Sequence, residues 1–430
     1  MSIKLFKRNV LLLPGLLVMF YGGQAQDKLY LSLDSAKIYA FEYNKSLVNA
    51  GLAVDAAGER LREAIAQGLP KVDATIDYNN YFNSTASLGA MSFTFNPTSN
   101  LNVSLGQLIF SGSYIIGIQT AKLFKEVTET SLEKTELDIK AQVSQAYYLG
   151  LVSERSRKIV EANLSNMKDI LVKTKAMVNV GIAEELDYDQ LSVQENMLEN
   201  ALKSSERQVE LSLNMLRLQM GLDAGIDIIL TDSLESIVSN SDFSASLLKP
   251  FELSNNYDYQ LLQLQTAISE KQVLMEKAAY LPTITGFYNY TEKIKKPELD
   301  FAPKHVIGFN ISIPIFASGL KQARVNQAKI GLKEAENQKE LVSEQLLIQE
   351  RQLRYNLKTA LEQYESQKAN AEVSERVYKN IKLKYQQGIV SSLDLTTANS
   401  NYLQTENSFI ASYLQLLNAH IEIEKFLSNL

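Results

Sequence analysis

The chain has 430 residues, 43 Lys and Arg against 49 Asp and Glu, a formal net charge of −6, no Cys and only two His. The absence of Cys excludes a disulfide framework, a thiolate nucleophile and Cys-ligated zinc, and His305 and His420 are too few for a His-rich metal site. The acidic balance argues against a nucleic-acid partner, because phosphates call for a basic surface.

The first 25 residues have the organisation of an export signal. Three basic residues precede an apolar run at residues 10–21, and Gly23 and Ala25 are small residues at the −3 and −1 positions of a cleavage site. The alternative is an N-terminal anchor, but twelve apolar residues broken by a proline and a glycine fall short of the roughly 20 that a spanning helix needs. We predict a signal peptide over residues 1–25. Its removal leaves 40 basic and 49 acidic residues, a net charge of −9.

Two segments of alternating apolar and polar residues follow a helical stretch, at about 71–82 and about 100–111. In the first of them Val72, Ala74 and Ile76 alternate with polar residues. Period two predicts strands, and ten residues is the length of a tilted strand with lipid on one face and water on the other. An ordinary amphipathic sheet has the same pattern, so these strands alone leave both alternatives open.

A long helical hairpin is predicted next. No proline occurs between Pro97 and Pro250, and proline is excluded from helix interiors. We expect one helix from about residue 113 to 180, a tip at about 180–187, and a second helix over 187–220. The first helix would be on the order of 100 Å long, which suits a coiled coil or a tunnel wall rather than a compact domain.

The same organisation occurs again after a linker at about 231–250. Strands are predicted at about 283–293 and 305–316, a long Gly-free helix from about 332, a tip at about 387–394, and a helix over 394–427. The tips share the pattern G-I-x-x-x-L-D, in "MVNVGIAEELDY" (177–188) and "KYQQGIVSSLDL" (384–395). We therefore predict two structural repeats, 26–230 and 251–430.

Constant offsets between paired features support the duplication. Gly181 and Gly388 differ by 207 positions, Pro70 and Pro282 differ by 212, and an asparagine precedes each of these prolines by 26 residues (Asn44 and Asn256). The five-residue difference falls between the paired strands, where a surface loop shortens freely.

Helix capping alone would explain the residues conserved between the two tips of this chain. Gly181 and Gly388 suit the left-handed conformation that ends a helix, and Asp187 and Asp394 are predicted to be the N-caps of the following helices, with Gln190 completing a capping box. The residues alone do not distinguish a purely capping role from capping combined with a functional role.

If the strands span a membrane, the chain must be an oligomer. Four strands cannot close a barrel, and an open edge in lipid leaves unpaired backbone groups at several kcal/mol each. Three chains with four strands each give twelve strands, whereas two chains give a barrel too narrow for transport.

Taken together, these features resemble the TolC-type outer-membrane efflux protein family. The resemblance covers the mature chain and is carried by paired motifs in constant order. These are "LREAIAQGLPKVDATIDY" and "AAYLPTITGFYNY", "LIFSG" and "PIFASG", "LRLQMGL" at 216–222, and the two tips. It implies a mixed, mainly α fold: a duplicated strand–strand–helical hairpin unit, with a trimeric 12-stranded transmembrane barrel continuous with a periplasmic α-helical barrel.

The resemblance also implies function, partners and site residues. Such a homotrimer sits in outer-membrane lipid and conducts substrates from a periplasmic adaptor and an inner-membrane pump of the RND or ABC type, with no cofactor, no metal and no catalysis. Candidates for adaptor docking are the tip residues Gly181, Ile182, Leu186, Gly388, Ile389 and Leu393. The candidate gate comprises Asp394, Tyr385 and Asp187. Two departures predict a weaker charged gate, since Thr397 replaces a second acid and Val390 a basic residue.

Three rival functions differ in the features that they require. Small-molecule efflux and type I protein secretion use the same fold, and neighbouring genes would separate them. A periplasmic coiled-coil adaptor carries one hairpin within small β-domains, not two hairpins that each follow amphipathic strands. An enzyme would require a catalytic grouping, and none emerges from the sequence. The Lys-rich segment 291–305 is interpreted as an external loop, with recognition of lipopolysaccharide phosphates as the alternative.

Overall fold

The computed structural model describes residues 28–82, 84–89, 91–296, 300 and 302–430. The predicted signal peptide at residues 1–25 lies outside these ranges. The described chain is mainly helical, and its strands form one four-stranded sheet and two small pairs.

The described residues form nine α-helices and eight strands. The helices are α1 (Leu33–Tyr43), α2 (Lys45–Ala66), α3 (Gly112–Asn179), α4 (Glu185–Met220), α5 (Leu234–Asn240), α6 (Phe243–Leu248), α7 (Tyr257–Ala278), α8 (Leu320–Gln386) and α9 (Ser392–Phe426). The strands are β1 (Leu29–Leu31), β2 (Lys71–Asn79), β3 (Thr85–Leu88), β4 (Met91–Thr94), β5 (Thr98–Phe110), β6 (Ile228–Leu230), β7 (Thr283–Lys295) and β8 (His305–Ser312). The order α2-β2-β5-α3-α4 thus has its counterpart in α7-β7-β8-α8-α9.

Two helical hairpins dominate the molecule. The proline-free helices α3 and α8 have 68 and 67 residues, about 100 Å each at ~1.5 Å per residue. Each folds back on a helix of about half its length, α4 with 36 residues and α9 with 35. The hairpins pack on each other mainly through α3 and α9. In the described part of the chain, no helix has the length and apolar character to cross a bilayer.

Each hairpin is joined to a shorter helix by a buried asparagine. The Oδ1 of Asn44 accepts from two backbone amides in the first turn of α2 (2.8 and 3.1 Å), and its Nδ2 donates to the carbonyl of Gln219 at the end of α4 (2.7 Å). Asn256 likewise caps α7 and donates to the carbonyl of Phe426 at the end of α9 (3.2 Å). Asparagine suits both junctions because its side chain has an acceptor and a donor.

Replacing Asn44 by alanine is expected to lower the free energy of unfolding by about 2 kcal/mol. The change removes a helix cap worth ~1 kcal/mol and leaves the Gln219 carbonyl without its partner. Asn44→Ser keeps the cap and loses only the contact with Gln219, so it should fall between the alanine variant and the wild type. Thermal unfolding followed by circular dichroism measures this order, with the exposed Asn407→Ala as a control. Equal melting temperatures in all four proteins would contradict the role of the junction.

The four-stranded sheet joins the two repeats. Its strands are antiparallel throughout, in the spatial order β2-β5-β7-β8, so the central pair comes from different halves of the chain. Strands β2 and β8 lie at its edges, and neither has a further partner among the described residues. A single chain therefore leaves two open edges.

The strands differ from their predicted bounds at the ends. β2 ends three residues early, β5 begins two residues early and ends one residue early, and β7 ends two residues late. β8 ends at Ser312, four residues before the predicted end of 305–316. Pro314 explains this difference, because it has no amide to donate to a neighbouring strand.

Three features have no counterpart in the sequence-based predictions. Strands β1 and β6 form a short parallel pair, β3 and β4 form a hairpin beyond β2 and β5, and the linker contains α5 and α6. The hydroxyl of Tyr147 fixes the β1–β6 pair to α3, since it lies 2.9 Å from the carbonyl of Leu31 and 2.8 Å from Asp232 Oδ2.

Most of the buried apolar residues in the described chain fall into two clusters. The larger surrounds the β1–β6 pair and packs α1, α5 and α6 against both hairpins, with Leu216, Leu357 and Leu416 among its fully buried side chains. The smaller lies between the two hairpins toward their tips and includes Leu191 and Leu395. The second cluster therefore fixes one tip relative to the other.

Candidate functional site

The first tip turns on a glycine with a positive φ angle. Gly181 has φ +77°, a conformation that favours residues without a Cβ. The amide of Ile182 donates to the carbonyl of Met177 (2.9 Å), which closes the end of α3. The amide of Glu184 then donates to Asp187 Oδ2 (3.2 Å) at the start of α4.

The second tip has the same geometry. Gly388 has φ +75°, and the amide of Ile389 donates to the carbonyl of Lys384 (3.0 Å). Asp394 Oδ2 accepts from the amide (3.0 Å) and the hydroxyl (2.7 Å) of Ser391. The repeated motif G-I-x-x-x-L-D thus forms the same connection between two antiparallel helices in both halves of the chain.

The aspartates are not the N-caps that the sequence analysis predicted. The N-caps are Glu184 and Ser391, whose backbones are extended, and Asp187 and Asp394 are the third residues of α4 and α9. Each carboxylate reaches back to the amide of the N-cap residue, which is the second half of a capping box. Both helices therefore begin two residues earlier than predicted.

One serine links the two tips. The hydroxyl of Ser392, which is 2% exposed, lies 2.5 Å from Asp187 Oδ1 and 2.9 Å from Gln190 Oε1. Gln190 was predicted to complete a capping box in its own helix, and this was wrong: it contacts the other hairpin. The start of α9 is thus hydrogen-bonded to the start of α4.

Tyr385 lies inside the contact between the hairpins. Its hydroxyl is 3.0 Å from Thr174 Oγ1, and both residues are buried. Burial raises the pKa of Tyr385 above its usual value, so the hydroxyl stays protonated and can donate. Within one protomer this side chain connects α8 to α3.

Two further polar contacts join the hairpins, and neither was predicted from the sequence. Asn163 and Asn399 are buried and exchange hydrogen bonds at 2.7 and 3.2 Å. Lys382 Nζ donates to Asn166 Oδ1 (2.7 Å). The available signal was a polar residue on an apolar helix face, but the partners lie more than 200 positions apart.

Tyr378 contrasts with Tyr385, one heptad further along α8. Its ring is stacked on Tyr402 with centroids 5.3 Å apart, and burial raises its pKa to about 12. In the described part of the chain, its buried hydroxyl has no hydrogen-bond partner. Tyr378 therefore packs in the same cluster without linking the hairpins through its hydroxyl.

The outer surface of both tips is apolar and exposed. Ile182 and Leu186 are 69% and 61% exposed, and Ile389 and Leu393 are each 65% exposed. Their paired positions give two equivalent apolar ends per chain. Exposed large apolar side chains that cluster at one end of a molecule are typical of an interaction surface.

Charge at the tips comes mainly from carboxylates. Hydrogen bonds from the Ser391 side chain and amide hold the pKa of Asp394 below its usual value, so Asp394 remains ionised at neutral pH. Thr397, which was predicted to weaken a charged gate, is exposed. Among the described residues, no group of three or more His, Asp or Glu side chains is arranged to hold a metal ion.

The sheet has one apolar and one polar face. Its register aligns apolar side chains across all four strands, for example Ile76 with Leu101 and Tyr288 with Ile307. Several are largely exposed in the single chain, such as Ile307 at 83% and Phe309 at 71%. Exposure of such an apolar surface to water is unfavourable in free energy.

The opposite face carries a hydrogen-bonded ladder. Asp77 accepts from the amide groups of Asn100 (3.0 Å) and Asn102 (2.8 Å), and Asn102 in turn accepts from the Thr291 hydroxyl (2.9 Å). These residues come from β2, β5 and β7, so polar side chains connect three strands on this face.

A model of one protein family matches both halves of the chain. The model, described as outer membrane efflux protein, matches residues 40–222 and 252–429. The chain belongs to the outer membrane efflux protein family. This confirms the resemblance noted in the sequence, and it locates the protein in the outer membrane with its helical hairpins in the periplasm.

Solved outer-membrane channels share the fold of this family member. CusC has a TM-score of 0.76 and 16% identity, covering 95% of both chains. VceC of Vibrio cholerae has a TM-score of 0.74 and 15% identity, covering 92% of this chain and 96% of its own. MtrE of Neisseria gonorrhoeae, solved in an open state, has a TM-score of 0.73 and 18% identity, covering 92% and 88%. No curated protein matches this sequence.

Proposed function

We propose that three copies of this chain close a 12-stranded transmembrane barrel. The observation that carries this proposal is the open four-stranded sheet, whose two edges have no partner among the described residues and whose apolar face is exposed. In lipid each unpaired backbone group is unfavourable by several kcal/mol, and pairing β2 of one protomer with β8 of the next removes both edges. The polar ladder of Asp77 then faces the water-filled interior.

The six long hairpins continue this wall as a periplasmic tunnel. Helices of about 100 Å that run from the sheet to exposed tips suit a conduit. We infer that the trimer passively conducts small molecules, in keeping with an efflux family, and that it performs no catalysis itself. The driving force comes from an inner-membrane pump of the RND or ABC type, reached through a periplasmic adaptor.

The adaptor is proposed to dock on the tips. The apolar, exposed character of both turns supports this assignment, because such side chains gain free energy when a partner covers them. The docking residues are Gly181, Ile182, Leu186, Gly388, Ile389 and Leu393.

The gate is proposed to lie in the hairpin contacts behind these tips. Tyr385 and Asp187 hold the two hairpins of one protomer together through Thr174 and Ser392. Asp394 adds negative charge at the entrance, and three copies around an axis favour cations. Separation of the hairpins then opens the entrance.

The decisive test of the channel is the native mass of the mature protein extracted from outer-membrane fractions in detergent. A trimer that forms ion-conducting pores in planar bilayers supports the proposal. A monomer recovered from the soluble periplasmic fraction would overturn it.

Replacing Asp394 by asparagine is expected to lower the cation preference of the pore. Asparagine keeps a side-chain oxygen for the Ser391 amide but removes three charges per trimer. Because the pKa of Asp394 lies below its usual value, the wild-type preference should persist at pH 5, and it should fall only when the pH drops below the ordinary range for aspartate. Reversal potentials in asymmetric KCl measure this, and an unchanged selectivity would move the charged gate elsewhere.

A further inference from the structure

A basic cluster lies at the end of the sheet remote from the helices. Since the helices extend into the periplasm, this end of β7 and β8 faces outward. Lys304 Nζ lies 3.1 and 2.9 Å from the two carboxylate oxygens of Glu292, and Lys296 is close enough to act electrostatically on the same carboxylate. Both lysines are exposed, so two positive charges face one negative charge.

Aromatic side chains lie directly beneath these charges. Tyr288 Oη is 2.8 Å from His305 Nδ1, the Tyr290 and His305 rings are 5.0 Å apart, and the Tyr290 hydroxyl donates to Glu292 (2.7 Å). Strand alternation gives Tyr288, Tyr290 and Glu292 the same face, which the register aligns with Ile307 and the other apolar residues.

The positions of these groups match the boundary of a membrane. From Ile284 to Glu292 the strand extends about 26 Å along its own axis at ~3.3 Å per residue. At the 35–45° tilt of barrel strands this is roughly 20 Å of membrane height, and the apolar band of a membrane barrel is roughly 25 Å tall with aromatic girdles at its edges. Tyr290 thus lies near the outer edge of the apolar band, where the girdle is expected, and Lys296 and Lys304 lie beyond it, at the level of lipid headgroups.

We propose that Lys296 and Lys304 of each protomer bind a phosphate on the headgroup of a lipid in the external leaflet. The ligand must be amphipathic, because its phosphate meets the lysines while its acyl chains meet the apolar face below. The phosphate competes with Glu292 for Lys304, since an ammonium group pairs with either anion. This inference rests on the proposed barrel, in which the apolar face contacts lipid.

The test is lipid binding to the detergent-extracted trimer, measured by native mass spectrometry with added lipid A, a bisphosphorylated glycolipid. Lys296→Gln and Lys304→Gln are each expected to weaken binding about fivefold, the effect of one basic side chain near an anionic lipid surface. The double variant should lose about 25-fold if the two lysines act independently. Glu292→Gln should strengthen binding, because it removes the competing carboxylate, and Lys→Arg at both positions should preserve it.

Lys295→Gln is the matched control, because this lysine is adjacent in sequence to Lys296 but is not among the charges that act on Glu292. It should leave lipid binding unchanged. Equal binding by wild type and the Lys296→Gln/Lys304→Gln trimer would overturn the proposal, as would equal retention of dephosphorylated lipid A. If inorganic phosphate bound as tightly as lipid A, the site would be a simple anion site and the lipid assignment would be wrong. A monomeric extract would instead contradict the channel itself.

Discussion

Phe309→Lys is expected to abolish assembly of the trimer in the outer membrane. Phe309 lies in the middle of β8 on the apolar face and is 71% exposed in the single chain. A lysine that faces lipid destabilises a barrel by about 2–4 kcal/mol at the midplane of the bilayer and by less toward its surfaces. Phe309, opposite Gly286 in the register, lies inside the apolar band, and the trimer would carry three such lysines. The summed destabilisation from the three lysines is comparable with the free energy of unfolding of an ordinary domain, about 5–15 kcal/mol. The measurement is the amount of trimer in outer-membrane fractions.

The matched control is Asn310→Lys, at the next residue of the same strand. Alternation directs Asn310 to the polar face, where a lysine remains in contact with water, so this variant should assemble at close to the wild-type level. The pair separates membrane-facing from water-facing positions without changing the strand or the introduced residue. If both variants assembled equally well, the apolar face would not meet lipid, and the sheet would be an ordinary amphipathic one.

Local patterns were sufficient to predict the long helices and the main strands. The absence of proline from residues 98–249 reflects a constraint that acts at every position of a helix, so it is visible without knowledge of the fold. The strands at 71–82 and 305–316 were likewise evident from their two-residue period. Their ends were less predictable, because a strand ends where its neighbour stops pairing, which is a property of the sheet.

The contacts between the hairpins could not be predicted, since they join residues far apart in sequence. Ser392 meets Asp187, and Asn163 meets Asn399, across more than 200 positions. One sequence contains no signal that pairs such residues. Local chemistry also gave a wrong prediction at the tips. Asp187 is a good N-cap by composition, but Glu184 takes that position because the carboxylate of Asp187 reaches back to its amide. The β1–β6 pair escaped prediction because three residues are too few to show a period.

The double substitution Tyr385→Phe and Ser392→Ala is expected to open the periplasmic entrance. The first change removes the hydroxyl that bonds Thr174, and the second removes the link to Asp187 and Gln190. Together they weaken the contact between hairpins by about 2–3 kcal/mol per protomer, the sum of one neutral and one charge-assisted hydrogen bond. Since 1.4 kcal/mol corresponds to tenfold in an equilibrium, openings recorded in planar bilayers should become at least tenfold more frequent.

Tyr378→Phe is the matched control for that experiment, because it removes a hydroxyl from the same helix and cluster where the described residues offer it no partner. It should leave the opening frequency unchanged. The chain has no Cys, so spin labels at Ile182→Cys and Ile389→Cys report the separation of the two tips directly. The distance should broaden in the double variant and stay narrow in Tyr378→Phe, since Leu191 and Leu395 still pack between the hairpins. A narrow distance with more frequent openings would place the gate between protomers rather than within one. Unchanged distances and openings would show that these two contacts only stabilise the fold.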